Sequence, residues 1–532
     1  MGGKAVRISS ILRAAGITLA AMMAFAAGPA LAEWKRAESP HFIVYSQGNE
    51  AALRRYVANL EIYDYTLRVR MGLPLNVTPG RKLPIYLVSG RAGLLQINPN
   101  TGPDVAGTYF PVGEDIFAAA IQDRENDYLF HEYFHHFSFQ LGATSTYPGW
   151  LIEGLAEYFM TAEIRPEYVD IGRHNEGRAF VLLNMPWLTL DTLLSKRPGE
   201  LRRQEDRDSY YPVAWLLTHW FMSNEERAPK LMAYVADIQA GGEPVEAMQR
   251  ATGLTMSQLR QELRRYMTGR LPVKRYSGDL PRPEITITRV PESANDLLLL
   301  AQRLKVGVVN EERAATAALI RRLSARHPND PFALLQLGHA ELHFGDPEAG
   351  EAVLTRLLEM EPENVEALQL MATRFIRLAE DRPDDAPALL LRARTYLARA
   401  YQADNGQYYT LQLLAETRES REGYPTENDL TTWDLAFGHA PQLSSIRLGY
   451  ARALMMAAEF DNAIVVLTPL ANAPHGGATA NAARTLIERA RAGQSPFSVE
   501  ELQTAVDADN RADEPTSTPP SPSGEPVDPA DG

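Results

Sequence analysis

Residues 130–137 read FHEYFHHF, and residues 148–159 read PGWLIEGLAEYF. In the first stretch His131 and His135 stand four apart with Glu132 beside the first of them, the H-E-x-x-H pattern. On a helix, positions i and i+4 share a face, so two imidazoles can hold one divalent ion while the neighbouring carboxylate acts on a water beside it. With 11 His in 532 residues, chance produces this pattern roughly 0.016 times per chain, so it is a specific signal. A helix is predicted from Asp127 to Leu141.

A catalytic zinc ion takes three protein ligands and keeps one position open. Glu153, on a second predicted helix from Trp150 to Thr161, completes the set His131, His135 and Glu153. Glu157 lies one turn further along the same face, where it can orient a ligating imidazole by accepting its other N–H. Gly154 is expected to leave room for the H-E-x-x-H helix to approach closely. His136 points about 100° away from His135 on a helix, and is read as a supporting or surface residue.

These two segments together resemble the gluzincin metallopeptidases, most closely the bacterial peptidase MA-like group, in which H-E-x-x-H is followed by an E-G-x-A-type segment on the next helix. The resemblance covers about residues 33–270, with its specific motifs confined to 130–160. It implies a zincin-like fold, one Zn2+ per chain held by His131, His135 and Glu153, and Glu132 as general base. The gap between His135 and Glu153 is 17 residues, slightly short for the group. A G-x-M-E-N segment is absent, so aminopeptidase specificity is not implied. Related enzymes place a tyrosine beyond the third ligand to stabilise the oxyanion. Tyr211 is the expected counterpart, with Tyr210 and His219 as alternatives, before or within a helix predicted from Pro212 to Ser223.

The remaining composition sets bounds. A formal charge of -14 with no basic clustering gives no general basis for binding nucleic acid. Lys4, Arg7 and Arg13 precede the apolar run Ala14 to Gly28 and the small residues Ala30-Leu31-Ala32, which reads as a signal peptide over residues 1–32. Export, to a bacterial periplasm or outside the cell, is therefore expected, with no membrane span left after cleavage. The chain has no cysteine, so a metal must be held by His and carboxylate.

Strands are predicted at His41 to Ser46 and Leu83 to Ser89, with an amphipathic helix from Glu50 to Met71 between them. Ala106 to Val112 and Asp115 to Ile121 form a predicted hairpin around Gly113-Glu114, and the second strand is expected to lie along the substrate. Residues 271–291 hold Pro272, Pro281, Pro283 and Pro291 and read as a linker with one short strand, Glu284 to Val290. The linker is expected to separate two cores, so that a fragment ending near residue 275 folds alone.

After it, His327-Pro328-Asn329-Asp330 returns as Glu361-Pro362-Glu363-Asn364 with a period of 34 residues, and Gly338 is matched by Ala372. This resembles tetratricopeptide repeats, and implies an all-α domain over 292–508 that can bind a protein partner. Residues 509–532, acidic and rich in proline, are expected to be disordered.

The expected architecture is thus an α+β catalytic domain followed by helical repeats. The expected activity is zinc-dependent hydrolysis of a peptide or protein. A zinc amidase acting on a non-peptide substrate shares every residue, and an exported repeat scaffold with an inactive peptidase-like domain is the rival from another class.

Overall fold

The apolar alternation at residues 42–46 and the unbroken apolar run at 83–88 become neighbouring strands of one sheet in the computed structural model. Strands β1 (Lys35–Glu38), β2 (Phe42–Ser46), β3 (Leu83–Val88), β4 (Gly107–Val112), β5 (Asp115–Ile121) and β9 (Thr286–Arg289) are ordered β4-β5-β3-β2-β1-β9. The structure describes residues 33–501 apart from 76, 78, 104, 123–126, 143–146, 474–476 and 498–500. The expected signal peptide and acidic tail lie outside the described residues.

β2 and β3 run parallel, which requires a crossover, and helix α1 (Glu50–Met71) supplies it. The Asn49 side chain caps its first turn, and Gly72 ends it at φ 66, a left-handed conformation that glycine adopts without strain. Successive residues of the inner strands point to opposite faces. Val44, Ile85, Leu87, Ala118 and Ala120 join the core beneath α1, while Tyr86, Val88, Phe117 and Ala119 join a second core on the other face.

β4 and β5 form the expected hairpin, with Val112 opposite Asp115 across Gly113-Glu114. β5 pairs with β3 on its other side, which corrects the expectation that it lies along a substrate. Its DIFAAAI run is apolar because it is buried between two strands and two cores. On this side β4 is the last strand of the sheet among the described residues.

Next come α2 (Arg91–Ile97), α3 (Asp127–Leu141), α4 (Gly149–Met160), β6 (Glu163–Arg165), β7 (Tyr168–Ile171), α5 (Glu176–Asn184), α6 (Leu190–Ser195), α7 (Gln204–Met222), α8 (Ala228–Gln239), α9 (Pro244–Thr252), α10 (Met256–Met267) and β8 (Lys274–Ser277). α7 begins at Gln204 rather than at Pro212, which lies inside it. Glu205 and Asp206 in its first turn complement the helix dipole. β8 pairs with β7 and β9 with β1, so the proline-rich stretch is stitched into two sheets.

The C-terminal region is helical: α11 (Ala294–Val306), α12 (Asn310–Ser324), α13 (Pro331–Phe344), α14 (Pro347–Met360), α15 (Val365–Asp381), α16 (Ala386–Ala403), α17 (Tyr408–Glu416), α18 (Glu427–His439), α19 (Ser444–Met456), α20 (Phe460–Ala471) and α21 (Gly477–Arg491). Asp330 and Asn364 cap α13 and α15, accepting from Ala333 N at 2.9 Å and Ala367 N at 3.0 Å. At Gly338 a Cβ would stand 2.5 Å from Leu354 Cγ, so α13 and α14 pack closer than a larger residue permits.

This region shares cores with the rest. Ala294 and Leu298 of α11 cover Tyr86 and Phe117, and Tyr408, Leu411 and Trp433 belong to the core that contains Phe134 and Leu155. The packing therefore does not divide into two separate cores at residues 271–291. No helix among the described residues is long and apolar enough to cross a membrane.

Candidate metal centre

α1 fixes the orientation of α3. The Tyr63 hydroxyl donates to the Phe130 carbonyl at 3.1 Å, and the two rings stack with centroids 4.0 Å apart. One residue beyond Glu132, Tyr133 donates to Asp64 at 2.6 Å, and Arg68 holds Asp64 from the other side at 2.6 Å. Phe134 stacks on Phe159 of α4 at 5.6 Å. With its aromatic residues committed in this way, α3 turns His131 and His135 toward Glu153 on α4.

α4 is buried along almost its whole length, and Glu153 is 0 % exposed. At Gly154 a Cβ would lie 2.1 Å from Thr218 Oγ1 and 2.7 Å from the Ala214 carbonyl oxygen. The helix that Gly154 admits is therefore α7, which corrects the expectation that it is α3.

The three expected ligands come together. His131 Nε2 lies 3.3 Å from Glu153 Oε2, His135 Nε2 lies 3.6 Å from the same oxygen, and the two Nε2 atoms are 3.1 Å apart. Donors sharing one tetrahedral ion at about 2.0–2.2 Å stand about 3.3–3.6 Å from one another. Two imidazoles and one carboxylate with this spacing could hold a single metal ion.

Glu157 lies behind them. Its Oε1 is 3.4 Å from His131 Nδ1, and its two oxygens accept from Nε and Nη2 of Arg178 at 2.8 Å each. Arg178, on α5, was not found from the sequence, where no local spacing ties it to Glu157. Burial by itself would raise the Glu157 pKa, but Arg178 and His131 outweigh it and hold the carboxyl at about 2. Burial likewise opposes charge on His131, yet Glu153 and Glu157 raise its pKa to about 10. Glu153 and Glu157 thus favour positive charge at the His131 ring.

Glu132 is half-buried on α3, and its charge acts on Tyr109 and Tyr211. The Tyr211 ring is 6.3 Å from that of His131 and lies beneath the Arg178 guanidinium, 5.3 Å from its centre. Burial, reinforced by Glu153, Glu157 and Glu132, holds its phenol well above the ordinary value, so it remains a donor. The alternatives are engaged elsewhere: Tyr210 donates to the Lys196 carbonyl at 3.2 Å, and His219 sits 2.9 Å from the Gly172 carbonyl and 2.7 Å from the Tyr266 hydroxyl. His136 is buried rather than at the surface, with Nδ1 2.9 Å from the hydroxyl of Tyr109 on β4.

No protein-family model, curated protein or solved structure matches the chain.

Proposed function

We propose that the chain is a zinc-dependent hydrolase, a peptidase of the gluzincin kind, with His131, His135 and Glu153 as ligands. The observation that carries this reading is the donor triangle of 3.1, 3.3 and 3.6 Å at the end of a complete H-E-x-x-H motif. A bound zinc ion supplies Lewis acidity, lowering the pKa of a water and polarising a carbonyl.

Glu132 takes the proton of the attacking water and returns it to the leaving amine. Tyr211, kept protonated by its surroundings, donates to the oxygen on which negative charge develops. Glu157, braced by Arg178, holds the His131 ring in the orientation a ligand needs. An extended substrate pairs with β4, the last strand of the sheet among the described residues.

The helical region is proposed to be tetratricopeptide-like, supported by the repeated caps at Asp330 and Asn364 and the close approach at Gly338. A groove of about 620 Å3 lined by residues including Leu390, Glu416, Trp433 and Arg452 favours a partner-binding role for these helices. That observation also suits the scaffold reading.

Cleavage of a peptide library by the purified chain separates the readings. The hydrolase reading expects cleavage that a chelator abolishes and zinc restores. A chain that retains zinc at His131 and His135 but cleaves neither peptides nor simple amides would support the scaffold.

A further inference from the structure

A second histidine pair stands four apart on α13, His339 and His343. Their ring centroids are 4.8 Å apart at an interplanar angle of 68°, against 4.8 Å and 75° for His131 and His135. The same helical spacing has produced the same mutual geometry at both places. The tip of the β4–β5 hairpin delivers Glu114 to this pair, with Oε2 3.3 Å from His339 Nε2. One ligand atom from each of Glu114, His339 and His343 lies within 4.8 Å of the others.

Two further observations point to a ligand. His339 is 2 % exposed, and its Nε2 is buried without a hydrogen bond. Its close polar neighbour is the Glu114 carboxylate, and the attraction between the two helps to hold the Glu114 pKa down to about 2. A divalent cation bound between them would keep that attraction to the carboxylate and add His343 as a third donor. The 3.3 Å separation is also that of two donors sharing one tetrahedral ion, about 3.3–3.6 Å.

Nearby cations leave the site usable. Lys305 is committed to Asp115 at 3.2 Å and Glu366 at 3.0 Å. Arg377 is 2.9 Å from His343 Nδ1 through its Nη2. It is exposed, on a long side chain that can turn toward water.

We propose that Glu114, His339 and His343 form a second divalent-metal site, suited to zinc, that ties the β4–β5 hairpin to the helical region. Two imidazoles and one carboxylate favour zinc over magnesium or calcium, which prefer all-oxygen shells. The ligands come from two elements far apart in sequence, so the ion acts as a cross-link between them. The site does not depend on the hydrolase reading.

The test counts zinc bound to the full chain, by titration against a chelating dye and by elemental analysis after dialysis. Two ions are expected for the wild type, and one for each of Glu114→Gln, His343→Ala and the pair His131→Ala with His135→Ala. Circular dichroism checks that each variant is folded. Glu114 is at a half-buried hairpin tip, so Glu114→Gln should keep its shape. On the His131→Ala, His135→Ala background zinc should raise the thermal midpoint, and adding Glu114→Gln should abolish that shift.

Two ions retained in both Glu114→Gln and His343→Ala would overturn the proposal. So would a His131→Ala, His135→Ala chain that binds no zinc and whose midpoint zinc leaves unmoved. A single ion that survives loss of His131 and His135 but not Glu114→Gln would support this site and count against the hydrolase reading.

Discussion

Replacing Glu157 tests how the imidazole ligands are held. Glu157 meets Arg178 with both oxygens at 2.8 Å but stands 3.4 Å from His131 Nδ1, so the imidazole receives the weaker share of its charge. Groups that orient a ligating imidazole are worth about 10–100-fold in metal affinity, or about 1.4–2.7 kcal/mol. The weaker share places Glu157→Gln near the lower end, about tenfold. Glu157→Ala also leaves the partly buried Arg178 without its carboxylate partner and facing a cation site, which places it near the upper end, about 100-fold. Removing Arg178 as well should bring the double variant back to about tenfold. Glu153→Ala, which deletes a ligand, should lose the zinc of the His131 site to a mild chelator. Competitive zinc titration of the four variants reads all these differences. Zinc held at the His131 site by Glu153→Ala but lost there by Glu157→Ala would refute the assignment, and a double variant no better than Glu157→Ala would refute the role given to Arg178.

Gly154→Ala forces a Cβ to within 2.7 Å of the Ala214 carbonyl oxygen. Overpacking costs about 3 kcal/mol against about 1 kcal/mol of helix propensity regained, so a net loss of about 2 kcal/mol should appear as a lower urea midpoint; an unchanged midpoint would refute the close contact. Burial lowers the pKa of His219 from 6.5 to about 4. The unfolded chain therefore binds a proton that the native state refuses in this window, and stability, full above about pH 6.5, falls as the pH drops toward 4. His219→Gln should flatten that fall, by at most about 3 kcal/mol, and an unchanged slope in urea titrations across the window would refute it. A fragment ending near residue 275 bares Tyr86, Val88 and Phe117 and loses the core contributed by Tyr408 and Trp433. It is expected to aggregate, and a soluble, zinc-binding fragment would contradict the shared cores.

Local signals were legible in the sequence. The helix carrying His131 and His135 has its expected bounds, the Gly113-Glu114 hairpin is in place, and Asp330 and Asn364, matched positions of the 34-residue period, each cap a helix. Each depends on residues within a few positions of one another. What was missed is non-local. Gly154 announces a close contact but not its partner, which tertiary packing made α7. Pro212 reads as a helix start, yet a helix long enough to bury residues on both sides tolerates the one hydrogen bond it lacks. The linker prolines gave no sign that β8 and β9 would find partners in β7 and β1. The His339–His343 spacing was visible, but Glu114 comes from a hairpin far earlier in the chain.

Glu132→Gln isolates the chemical step from metal binding, because the amide keeps the size of the side chain and loses its basicity. The decisive measurement is turnover of a cleavable peptide by this variant, made alongside its zinc content at the His131 site. The account predicts zinc retained as in the wild type, with hydrolysis abolished. Turnover near the wild-type rate with zinc in place would contradict it.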